Sequence, residues 1–108
     1  PPAGIPRPID VTMKTGWSYD ADARVFTSAT GEKFEIAGEL PKGTKVVHKA
    51  PRVARADPSK LSAAERDLRR YLQVILPPDH SPKDYLPRVR RWPSVECADL
   101  GPDISLPK

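Results

Sequence analysis

The stretch Asp57–Leu76, DPSKLSAAERDLRRYLQVIL, decides how the rest of the chain is read. Asp57 before Pro58 can open a first turn, with a carboxylate to cap it and a proline whose missing N–H has no partner at a helix start. Ser62 with Glu65 three residues on is a capping box, in which hydroxyl and carboxylate satisfy backbone donors that a first turn leaves orphaned. The start is Asp57 or Ser62, and Ser62 with a short turn before it fits better. Apolar residues then fall at Ala64, Leu68, Tyr71, Leu72, Ile75 and Leu76, the spacing of one stripe on a helix, while Glu65, Arg66, Asp67, Arg69, Arg70 and Gln73 cover the opposite face. Pro77 and Pro78 stop it. The expectation is one amphipathic helix over 62–76 that packs its stripe on a small sheet, in preference to docking a partner or lying on a membrane.

Upstream, from about Val11 to Lys49, the pattern changes to short β-favouring runs with turn residues between them. Four strands are expected: Trp17–Tyr19, Arg24–Ser28, Lys33–Ile36 and Lys45–Lys49. Asp20–Ala23, Ala29–Glu32 and Pro41–Gly43 are the turns, with Gly31 able to take the positive φ of a hairpin bulge. The fold class is therefore α+β, an antiparallel meander of three to four strands covered by the helix; neither layer is stable without the other. The segment GWSYDADARVFTSATGEKFEI resembles a WW-type module in its leading Trp17 and aromatic middle strand. The second signature tryptophan is missing, and Phe26 stands where that module has adjacent aromatic residues, so no ligand-binding role is carried over.

The ends read differently. Residues 1–10, with four prolines in PPAGIPRPI, form an extended N-terminal arm; 11–76 form the compact domain; 77–108 form an extended proline-rich C-terminal tail. Prolines at 77, 78, 82, 87, 93, 102 and 107 oppose long regular structure there, and Asp84–Arg91 has room for one helical turn. Yet Tyr85, Leu86, Trp92, Ile104 and Leu106 are spread along this tail as apolar anchors, for this domain or for a neighbour's grooves. Arg88, Arg90 and Arg91 beside Trp92 suggest an Arg–Trp stack used in packing. The chain opens PPAGIPRP without an initiator Met, as a processed mature protein or an excised domain would.

At 108 residues, 14 of them proline, the chain is one small domain with a modest core. The single Cys97 excludes an internal disulfide and any cysteine-based metal site. No apolar run approaches the ~20 residues that span a bilayer.

Charge is the most informative functional signal. Residues 1–41 carry four Lys/Arg against six Asp/Glu, residues 42–70 nine against three, and residues 71–108 five against five. The excess is Lys42, Lys45, Lys49, Arg52, Arg55, Lys60, Arg66, Arg69 and Arg70. Cations at this density can neutralise phosphates and release counterions, the basis of sequence-independent nucleic-acid binding. A solvated linker or an acidic protein surface accounts for the same residues, since charge sign does not select the partner. Zinc-finger spacing, a glycine-clamped phosphate loop and an aromatic ladder are all missing.

Catalytic signals are weak. His48 and His80 lie in different settings, neither at metal or triad spacing from Cys97 or a carboxylate. Asp20 and Asp22 alternate as a calcium loop begins, without its glycine and distal glutamate. The expectation is a non-enzyme with no cofactor, no metal and no small-molecule substrate. It is an accessory subunit of a large assembly, of the organellar-ribosome or respiratory-complex kind, whose tails anchor protein neighbours and whose segment 42–70 contacts RNA. A mitochondrial matrix or other intracellular location goes with it. The alternative is a freestanding interaction module that binds a peptide or an acidic partner.

Overall fold

The computed structural model of the chain describes residues 7–101. It is α+β, with two antiparallel sheets and short helices. The strands are β1 (Ile9–Met13), β2 (Trp17–Asp20), β3 (Val25–Ser28), β4 (Lys33–Glu35), β5 (Lys45–His48), β6 (Tyr71–Ile75) and β7 (Val95–Leu100). The helices are α1 (Pro51–Arg55), α2 (Ala63–Asp67) and α3 (Pro82–Arg90), with 3-10 turns at Pro58–Lys60 and Leu68–Arg70.

The four strands expected from the β-favouring runs all form. Three of them, β2-β3-β4, make a meander in one sheet, in which Tyr19 lies opposite Phe26 and Phe26 opposite Phe34. Gly31 turns the second hairpin at φ +92°, as its position suggested. The fourth, β5, leaves the meander for the edge of a second sheet ordered β5-β6-β1-β7.

Residues 57–76 divide in two. The expected start is present: the Asp57 side chain accepts from the Ser59 N–H at 3.0 Å and caps the 3-10 turn. Ser62 and Glu65 then exchange both capping-box hydrogen bonds, at 2.9 and 3.1 Å. The helix does not run to Leu76, however. It tightens at Leu68–Arg70, and Tyr71 takes extended φ −96°, ψ 123°. Tyr71–Ile75 is a strand, buried at Leu72 and Val74 and half-buried at Tyr71, Gln73 and Ile75. The run YLQVIL satisfies both periods, because Leu72, Val74 and Leu76 alternate while Tyr71, Leu72, Ile75 and Leu76 fall on one helical stripe. What breaks the tie is pairing on both sides, Val11 with Leu72 from β1 and Val46 with Val74 from β5. A helix there would leave both neighbours with open edges. Ala64 and Leu68, members of the supposed stripe, are exposed.

The ends are corrected too. Residues 9 and 10 of the expected arm belong to β1, an inner strand whose Ile9, Val11 and Met13 alternate into the core. The expected tail contains α3 and β7, and β7 pairs with β1 through Val11 opposite Ala98. Pro82 fits the first turn of α3, where no N–H is needed. Pro87 lies inside α3 at an exposed position and removes the N–H that would otherwise bond the Lys83 carbonyl. Of the five proposed anchors, Trp92 is buried in this domain's own core, with Tyr85 and Leu86 packed against it. Ile104 and Leu106, like residues 1–6, lie outside the described residues. The expected Arg–Trp stack is replaced: Arg88 lies over Tyr85, 5.7 Å from the ring centre, and Trp92 packs on Phe26 and Phe34 at 5.9 and 5.6 Å.

The core thus sits between the inner face of the four-stranded sheet and a cover made of the meander and α3, with Phe26 and Trp92 at the junction. At the rim, the Gly101 N–H donates to the Pro8 carbonyl at 2.7 Å. A Cβ on Gly101 would come within 2.9 Å of the Pro8 ring and 3.1 Å of its carbonyl oxygen.

Candidate nucleic-acid interface

The basic segment 42–70 is spread over β5, α1, α2 and the two 3-10 turns, and the fold separates its nine cations into groups. Lys49 is paired with Asp10 on the outer face of the four-stranded sheet at 3.3 Å, beside Gln73. Arg70 is a clamp: Nε donates to the Met13 carbonyl at 3.0 Å, and the two terminal nitrogens reach Asp67 and Glu96, each at 2.9 Å. These bonds fasten the 3-10 turn to β1 and β7, and the Asp67 hydrogen bond holds the guanidinium above its usual pKa. The other seven, Lys42, Lys45, Arg52, Arg55, Lys60, Arg66 and Arg69, have no ion pair among the described residues.

Four of the nine are brought together at one cleft. Its smaller part, about 210 Å³, is lined by Met13, Trp17, Ser18, Tyr19, His48, Arg66, Arg69 and Arg70. Its larger part, about 490 Å³, is lined by Tyr19, Asp20, Ala21, Asp22, Val47, His48, Pro51, Ala54 and Arg55. Tyr19 and His48 line both, with ring centres 5.4 Å apart, so the two cavities adjoin at this pair. Lys42 and Lys45 lie toward the other end of β5, and Arg52 and Lys60 point elsewhere; none of the four lines the cleft.

Each wall has a local cause. The capping box starts α2, and its short length followed by a 3-10 turn brings Arg66, Arg69 and Arg70 against the end of β2. Alternation along β2 turns Tyr19 inward, where its hydroxyl donates to the Val46 carbonyl of the edge strand β5 at 3.0 Å. His48 lies opposite Leu72 and so shares the inner side of β5 with Val46. Burial, reinforced by the Arg69 guanidinium, pulls the His48 imidazole below its ordinary 6.5, so it is neutral at pH 7. Burial likewise pushes the Tyr19 hydroxyl up, against the pull of Arg24.

Trp17, Tyr19, His48, Asp20 and Asp22 are members of this cleft that the sequence reading did not assign to it. The β-favouring pattern explains Trp17 and Tyr19 as strand residues, and His48 at a strand edge as a structural or solvated residue. The phase of β5 carried a signal, since His48 is two residues from Val46 and must face the same way. His80 packs edge-on against Tyr85, and Cys97 is exposed on β7; neither lines the cleft. Among the described residues, no three of His, Cys, Asp and Glu are grouped to hold a metal ion, and no helix is long and apolar enough to cross a membrane.

Comparison with known protein families, with characterised proteins and with solved structures finds no match to this chain.

Proposed function

We propose that the chain is a non-catalytic accessory subunit that contacts RNA, with Arg66 and Arg69 on phosphates and Trp17 beside them as a stacking surface. The supporting observation is that these arginines, unpaired with any acid among the described residues, share one cavity with an indole. A phosphate needs cations whose counterions it can displace, and a single-stranded base needs an aromatic face. An acidic protein surface needs only the cations, so Trp17 in the same cavity favours RNA. Arg70 serves as a positioning residue here, because its clamp sets the turn that carries Arg69.

The test is the salt dependence of binding to a fluorescently labelled single-stranded RNA, followed by anisotropy. Two phosphates give a log–log slope near −1.4, at about 0.7 per phosphate on single strands. Arg66→Ala with Arg69→Ala should flatten that slope toward zero and weaken binding, while Lys42→Ala with Lys45→Ala leaves it close to wild type. Failure to bind at about 50 mM salt, or an unchanged slope in the arginine pair, rejects the reading.

A further inference from the structure

We infer that the larger part of the cleft takes one base of the bound RNA and that its acidic rim selects guanine. The inference rests on the RNA-contacting reading and adds sequence preference to it. The two parts differ in size and charge in a way that matches the two ends of a nucleotide. At about 210 Å³ the arginine-lined part is smaller than the ~300–1,000 Å³ of pockets for drug-sized molecules and suits a phosphate group. At about 490 Å³ the adjoining part falls within that range and can hold a nucleoside.

The larger cavity also has suitable walls. Val47, Pro51 and Ala54 give it apolar surface for a flat ring, and Asp20 and Asp22 give it acceptors. Asp20 Oδ1 accepts from the N–H groups of Asp22 and Ala23 at 3.0 and 3.1 Å, which holds the turn in shape. The Asp22 carboxylate is exposed and makes no hydrogen bond or ion pair among the described residues. A carboxylate only accepts. Arg55 also lines this part, but two carboxylates outweigh it. Arg66, Arg69 and Arg70 make the smaller part strongly basic; phosphate is drawn there, so the charge pattern orients the nucleotide. On the Watson–Crick edges by which single strands are read, guanine offers two adjacent donors, N1–H and the N2 amino group. Adenine and cytosine offer one amino group each, and uracil one ring N–H. Guanine is therefore the base that a carboxylate can hold through both oxygens.

The experiment compares four labelled pentamers, UUGUU, UUAUU, UUCUU and UUUUU, on the full chain at one salt concentration. UUGUU should bind on the order of tenfold tighter than the others, the usual discrimination of a bidentate base contact. Asp22→Ala, a change at an exposed turn residue that leaves the Asp20 turn intact, should bring UUGUU down to the level of UUAUU. Arg66→Ala should weaken all four by a similar factor and preserve the guanine preference. Equal binding of the four pentamers, with Arg66→Ala still weakening each, overturns base selection and leaves the RNA-contacting reading standing. If no pentamer binds, or polyglutamate competes as well as RNA does, both readings fall, the latter result marking an acidic protein as the partner.

Discussion

The sheet β2-β3-β4 is made of neighbours in sequence, each strand turning straight into the next, whereas β5-β6-β1-β7 collects strands from both ends and the middle of the chain. The first is specified by features a few residues apart: the Asp20–Ala23 turn, Gly31 and alternating aromatics. In the second, β6 has one neighbour from residues 9–13 and another from 45–48, and its strand state depends on both being in place. Local hairpins are thus independent decisions, while the larger sheet is a collective one. The two meet where Phe26 and Phe34 of the meander pack on Trp92 beyond α3, and where the Tyr19 hydroxyl of β2 donates to the Val46 carbonyl of β5.

The largest expected effect tests that junction. Phe26 is fully buried between Tyr19, Phe34 and Trp92, and Phe26→Ala should cost about 3–5 kcal/mol, measured by urea unfolding. Amide exchange at β1 and β6 should quicken with that at β3, because one core joins the two sheets. Unchanged protection in the four-stranded sheet would mean that the layers are separately stable.

The next effect asks whether residues 68–76 are strand or helix. Leu72, fully buried in β6, should cost about 2–5 kcal/mol on replacement by alanine, and Leu68, 41% exposed, less than about 0.5. A helical stripe would give similar losses at both, as both lie on it.

Gly101→Ala probes the closure of β1 on the far end of the chain. The new methyl meets the rigid Pro8 ring and backbone, so a loss of about 1–3 kcal/mol is expected, read as a lowered thermal midpoint. A midpoint equal to wild type would show that the Pro8–Gly101 contact yields freely.

The smallest effect is the pH response of His48, on which Tyr19, Asp20 and Arg69 act. Its pKa is depressed on folding, so the unfolded chain takes up a proton first as pH falls below 6.5. Stability present above 6.5 is therefore lost progressively between that value and the lower folded one. Thermal midpoints compared at about pH 7.5 and about pH 5.5 should fall, and the fall should shrink in His48→Gln. Phosphate bound beside Arg69 would favour the protonated imidazole, so RNA affinity should strengthen over the same descent. A wild-type fall no larger than that of His48→Gln would remove His48 from the account.

The division between what was legible and what was not follows the range of the interactions. The α+β class, the four strands within 17–48, the capping box at Ser62 and the turn glycine at Gly31 were readable, because propensity, capping and turn geometry act over about four residues. Of the candidate site, the basic excess in 42–70 was readable as composition. Its division into clamp, outer-face pair and cleft residues was not, because that depends on where the 3-10 turn lands against β1, β2 and β7.

By itself, the sequence determined the short-range elements and the surplus of positive charge. Only the tertiary structure decided that YLQVI is a strand, that residues 82–100 complete the domain, and that Trp17 and His48 share a cleft with Arg66 and Arg69. All three depend on contacts between residues far apart in the chain, and YLQVI shows the physical reason most directly. A segment whose apolar residues satisfy both the helical and the strand period has no local preference strong enough to choose. The choice then falls to backbone hydrogen bonds and buried area supplied by partners far away in the chain.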